Sequence, residues 1–211
     1  MAVTRLTAVF FVWATLLAGG KLSAQDEAAC FDCHEQEPGS KVHTVFETIH
    51  GTLNGGGTAA CTACHGPSEA HNRRGRRNPP DISYGPRWPS DVETRNGGCL
   101  ACHEKDQQLL WMGSAHEQEN MACDACHDSH EKTDLALATD TAQDQCLSCH
   151  TQVRAQIHLP SRHPIVEGKT DCVDCHNPHG GLGDGALHQV SLNDNCYSCH
   201  QETRGPFLWE H

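Results

Sequence analysis

All fourteen cysteines of the 211-residue chain fall into one pattern, and no other feature limits its folding as much. The chain reads CFDCH at 30–34, CTACH at 61–65, CLACH at 99–103, CDACH at 123–127, CLSCH at 146–150, CVDCH at 172–176 and CYSCH at 196–200. A C-x-x-C pair followed directly by histidine is the attachment signature of haem c. Its thiols add to the two vinyl groups, and the next residue supplies the proximal imidazole to the iron. The spacing therefore predicts seven covalent haems, on Cys30 and Cys33, Cys61 and Cys64, Cys99 and Cys102, Cys123 and Cys126, Cys146 and Cys149, Cys172 and Cys175, and Cys196 and Cys199. The proximal ligands are His34, His65, His103, His127, His150, His176 and His200.

Other uses of paired cysteines fit less well. A tetrahedral zinc site takes thiolates and imidazoles but does not need histidine at the same offset seven times in seven. Disulfide frameworks of secreted domains do not need the histidine, and C-x-x-C pairs make awkward long-range staples. A thioredoxin-like motif belongs on a βαβ pattern, which is absent.

Haem also accounts for the composition. Residues 1–24, MAVTRLTAVFFVWATLLAGGKLSA, carry Arg5, an apolar run from Leu6 to Ala18 and a small-residue end. That is the layout of a signal peptide cleaved after Ala24, and the run is shorter than the roughly 20 residues a membrane span needs. The expected mature protein, 25–211, is exported to the periplasm and keeps no membrane span. It holds 13 Lys and Arg against 27 Asp and Glu, a formal charge of −14, which gives a nucleic-acid role little support. So few large apolar residues would leave a chain of this length without a core. Covalent porphyrin supplies the missing apolar mass, and without it the chain should be largely unfolded.

Ten histidines lie outside the motifs, and seven of them have regular places. His116 and His163 each stand 13 residues after an odd-numbered motif histidine, His50 stands 16 after, and His211 stands 11 after. After the even-numbered motifs the extra histidine comes sooner: His130 and His179 three residues on, His71 six on. The chain is thus a doubled unit, repeated at 30–71, 99–130 and 146–179, with a half unit at 196–211. His50, His71, His116, His130, His163, His179 and His211 equal the irons in number and are the candidate distal ligands. His43, His158 and His188 fall outside the register and are expected to have no ligand role. Each full unit has the four histidines two irons need, but which distal histidine serves which iron does not follow from spacing. If the histidine after each second motif serves the first haem of its unit, and the spacer histidine the second, then haem seven loses its ligand. His211 would then substitute, or that iron would stay open.

SAHEQENMACDACHDSH at 114–130, RHPIVEGKTDCVDCHNPHGG at 162–181 and CYSCHQETRGPFLWEH at 196–211 resemble the MtrA/DmsE-type periplasmic decahaem c-type cytochromes. RGPFLWEH is the most specific stretch, because a haem repeat alone does not require it. The resemblance covers the mature chain. It implies an electron conduit to a terminal or extracellular acceptor, of the respiratory metal or sulfoxide reduction type. Its partners would be redox proteins, among them an outer-membrane porin-type β-barrel and an inner-membrane quinol-oxidising cytochrome. Family members carry ten motifs and continue past the WEH segment, so seven haems would be either a shortened coding sequence or a natural short form.

The expected fold is that of a multihaem cytochrome c: short α-helices and loops wrapped around a chain of haems, elongated, with almost no β-structure. TAQDQCLSCHTQVRAQIH at 141–158 has no Gly or Pro and predicts a helix, as do the stretches around Cys99 and Cys196, with Gly113 and the Gly205-Pro206 pair as stops. HNPHGG at 176–181 predicts a turn. Residues 72–91 form the longest gap between motifs; their arginines could dock a partner, neutralise haem propionates or simply be solvated. Three functions compete. An electron wire needs six-coordinate irons, and with only Met112 and Met121 in the mature chain, His/Met ligation cannot be general. A multihaem reductase needs one open iron, and all seven motifs end in histidine. A soluble periplasmic electron shuttle or store is the third.

Overall fold

Three of the described helices begin at side-chain caps. The computed structural model describes residues 30–34, 41–74 and 77–208; the expected signal at 1–24 and His211 lie outside the described residues. The α-helices are α1 (Phe31–His34), α2 (Thr58–His65), α3 (Glu69–Arg74), α4 (Val92–Leu100), α5 (Ala115–Gln118), α6 (Ala142–Leu147), α7 (Thr151–Gln156) and α8 (Leu192–Tyr197), joined by 3₁₀ turns and loops. Asp91, Ser114 and Ser191 start α4, α5 and α8, each side chain accepting from the backbone N–H three residues on. That satisfies one of the free donors at a helix start. Asp171 and Asp174 form a reciprocal capping box on the 3₁₀ turn Cys172–Asp174.

The single helix expected over 141–158 is two. α6 ends at Leu147, α7 begins at Thr151, and His150 between them sits at φ −82°, ψ 57°. His200 after α8 adopts nearly the same conformation, φ −101°, ψ 56°. At both motifs the proximal histidine therefore leaves the helix, although no Gly or Pro marks a break. The HNPHGG turn is present, with Gly180 donating to the carbonyl of Asn177 at 3.0 Å. Among the described residues β-structure is confined to two isolated bridges, both to Leu187, and no helix is long and apolar enough to cross a membrane.

The side chains alone make a thin core. The buried apolar residues are Ala60, Trp111, Ala122, Ala142, Leu147 and Ile157, three of them alanine. Leu109, Met112, Leu182, Val190 and Leu208 are more than half exposed. Polar ties do much of the joining. Buried Asn96 in α4 donates to Met121 O (3.0 Å) and accepts from Cys123 N (2.8 Å), fastening the third motif to the fourth. Beside it Arg95 pairs with Asp124 at 2.6 Å, both largely sheltered.

One backbone crossing leaves no space for a side chain. Gly180 has φ +120°, and a Cβ there would strike the backbone carbonyl of Leu110. Gly180→Ala therefore strains the turn that carries His179. The expected cost is about 3 kcal/mol, read as a lower unfolding midpoint of the haem-loaded protein, with no comparable change for Gly85→Ala, whose Cβ meets nothing within 4 Å.

Candidate metal centres

The motif histidines meet other histidines one to one. Ring centres lie 6.2 Å apart for His34 and His71, 6.1 Å for His65 and His130, 6.2 Å for His103 and His50, 6.0 Å for His127 and His179, 6.0 Å for His150 and His116, and 6.3 Å for His200 and His163. A ligating imidazole nitrogen is about 2 Å from its metal and about 1.1 Å from its own ring centre, so two imidazoles across one iron should be about 6.3 Å apart. The donor set thus fits haem iron held on both faces. Among the described residues no three His, Cys, Asp or Glu side chains gather as a metal cage, so the histidines and cysteines do not form the tetrahedral sites zinc would need.

The pairing differs from one confined within units. His71 faces His34 of its own unit, but the other five pairs cross between units. His200 faces His163, so the seventh motif has an opposing imidazole. His176 of the sixth motif has no ring partner among the described residues. Spacing could not reveal this, because a histidine three residues beyond one motif is free to cross to another.

Second contacts fix six of these rings. In these ligand positions Nδ1–H donates to a main-chain carbonyl: His65 to Ile82 (2.9 Å), His71 to Asn78 (2.8 Å), His116 to Pro178 (2.8 Å), His130 to Lys41 (3.3 Å) and His176 to Gly185 (2.7 Å). With the proton held at Nδ1, Nε2 keeps its lone pair for metal. His127 instead donates to the carboxylate of Asp134 at 2.6 Å. Burial pushes His50, His65 and His179 below the usual imidazole range, which favours the neutral, ligating form. His188 is tied through Nε2 to Val173 O at 2.8 Å, opposite to the ligand arrangement. His43 stacks on Phe31, its Nε2 buried without a hydrogen-bond partner, and His158 is exposed.

The arginine-rich gap has a structural role that its composition hid. Its second half folds back on the second motif: Asn78 and Ile82 receive His71 and His65, Ile82 N–H donates to His65 O at 3.2 Å, and Asp81 accepts from Ser68 N–H at 2.8 Å. Tyr84, its phenol pushed up by burial, packs edge-on to His65 at 5.5 Å. Arg73 pairs with Glu69 at the surface and Arg87 covers Trp88.

Cysteines of successive motifs lie within electrostatic reach of one another: Cys30 and Cys61, Cys99 and Cys123, and Cys146 and Cys172 most strongly, then Cys64 and Cys102, Cys126 and Cys149, and Cys175 with Cys196 and Cys199. The motifs are therefore neighbours in chain order.

The NrfB-like cytochrome c-type protein family matches over residues 61–143, the doubled CXXCH motif family over 163–205, and the N-terminal region of the NapC/NirT cytochrome c family over 1–77. The multiheme cytochrome MtrA of Shewanella baltica (strain OS185) is 38% identical over 198 residues, 92% of this chain and 58% of the relative. The chain belongs to the MtrA-type multihaem c-type cytochromes. In this MtrA-type chain the motif cysteines and histidines would hold haem c, with the opposing histidines placed as above. Bound haem c supplies a one-electron iron couple at each position; the polypeptide sets order, ligation and exposure. The chain spans a little over half the length of the relative it matches.

Proposed function

We propose that this MtrA-type chain binds seven haems c and conducts electrons along them in motif order, as an electron-transfer protein rather than an enzyme. The observation that carries this is the chain-order proximity of the motifs, with the thiols of each lying within electrostatic reach of the next from the first to the seventh. Six opposing imidazole pairs support it, because iron held on both faces has no position for substrate. Each pair uses one motif histidine and one repeat-placed histidine. After the first pair the register is regular: even motifs take the histidine that follows the motif two places on, and odd motifs take the spacer histidine of the preceding unit.

The export signal expected at 1–24 places the mature chain, 25–211, in the periplasm. The resemblance to MtrA/DmsE-type proteins supports a conduit role there, fed by an inner-membrane quinol-oxidising cytochrome and discharging through an outer-membrane porin-type barrel to a terminal or extracellular acceptor. Intact mass of the mature protein should show seven haems. Low-temperature EPR of its oxidised form should show at least six low-spin irons. The potentials should be low and spread, as bis-imidazole ligation without methionine requires. Fewer than six low-spin irons, or a titration centred well above zero versus hydrogen, would sink the wire reading.

A further inference from the structure

We propose that Asp134 sets the potential of the fourth, central haem position by holding His127 as an imidazolate-like ligand, so that this position is harder to reduce than those flanking it. The inference rests on the wire reading and adds an uneven step to it. Among the described residues, of the motif and opposing histidines whose Nδ1 has a hydrogen-bond acceptor within 3.3 Å, five donate to neutral carbonyls, and His127 alone donates to a carboxylate. At 2.6 Å this contact is also shorter than the carbonyl contacts, which run from 2.7 to 3.3 Å. His200 has Glu202 at 3.5 Å, but that carboxylate is 72% exposed, where water competes with it.

Charge-assisted hydrogen bonds are stronger than neutral ones. A carboxylate on the outer N–H makes the imidazole a better donor to metal, and better donation favours the oxidised iron. The negative charge acts in the same direction. The carboxylate is sheltered, with 17% of its side chain exposed, so water and salt screen it weakly. It is also held still. Its second oxygen accepts from Ala136 N–H at 2.9 Å, and its own carbonyl accepts from Leu137 and Ala138. Among the described residues its only ion-pair partner is His127. A sheltered carboxylate with no cation opposite it costs stability, and contact with a ligand histidine is a use that explains the cost. Across the site His179 Nδ1 is buried without a partner, so the donation comes from one side. Reduction here adds one electron and breaks no bond; the proton stays between His127 and Asp134.

The test is Asp134→Asn in the haem-loaded full chain. It should move one haem's share of the absorbance to higher potential in a spectroelectrochemical titration. The EPR g-spread of one low-spin iron should change while every low-spin iron stays low-spin. Asp140→Asn removes the same charge from an exposed site of the same loop and should leave both unchanged. Asp134 also lies close enough to His50 to favour its protonated form. Equal shifts at two positions without an EPR change would therefore mean charge alone and overturn the proposal, as would a titration superimposable on the parent. If Asp134→Asn does not accumulate with haem, the parent protein still decides. One low-spin signal of compressed g-spread, kept in Asp134→Glu, is expected, and its absence overturns the assignment. Fewer than six low-spin irons in the parent would overturn the wire reading itself, and this inference with it.

Discussion

His130→Ala should create one new site for carbon monoxide per chain and remove one low-spin EPR signal, and the iron affected should be the one above His65. His130 stands three residues after the fourth motif, yet its ring lies 6.1 Å from His65 of the second. Its main-chain carbonyl is held by the hydroxyl of Thr44 and its Nδ1–H by Lys41 O, so segment 41–44 carries the ring across. Alanine leaves His65 with no opposing imidazole and exposes an iron face. The change is from no binding to stoichiometric binding at that position, with a high-spin ferrous spectrum for one haem. A second substitution identifies the iron. Cys61→Ala with Cys64→Ala deletes the second haem and should abolish the new site. Cys99→Ala with Cys102→Ala deletes the third and should leave it. The reverse pattern would establish pairing within units and refute the cross-unit register.

Blocking haem attachment should unfold the chain. Expressed without export, and so without the attachment chemistry, residues 25–211 should show a coil-like far-ultraviolet spectrum, rapid proteolysis and no cooperative unfolding transition. The reason is quantitative in kind. The longest α-helix among the described residues is α4, with nine residues, and isolated helices below about 12 residues are marginal in water. Half of the buried apolar side chains are alanine, and no large side chain is fully buried. Such burial cannot offset the entropy of ordering so many residues. Covalent haem ties two chain positions and an iron ligand together at each motif, and a second ligand from elsewhere closes a loop. A haem-free chain with a native-like spectrum and a sharp transition would show that the polypeptide folds on its own.

How much of this was legible depended on the distance over which the information is held. The proximal set was legible because Cys, Cys and His must sit within five consecutive residues to meet one porphyrin. The distal set was legible as a list, since a repeat marks its members by spacing, and the list contained the partner of each of the six paired motif histidines. His188, outside that list, has its Nε2 committed to Val173 O. The partners themselves were not legible. The helix expected over 141–158 is broken at His150, a break that propensity does not contain, whereas α1 and α2 keep their motif histidines as last residues.

Asp134 shows where sequence reading stopped. It is one of 27 acidic residues, seven positions from the histidine it holds, with no motif to set it apart. The carbonyls of Ile82, Asn78, Pro178 and Gly185 are further from view, since any residue offers a carbonyl and only the path of the chain decides which one meets a ring.

The sequence by itself pointed to haem c, to the repeat and to the residues expected to attach and ligate it, because those depend on residue identity at short, fixed spacings. Tertiary structure alone decided which histidine faces which, the placing of each motif near the next, and the carboxylate behind His127. Those depend on residues far apart in the chain being brought within a few ångströms, a distance that residue spacing does not encode.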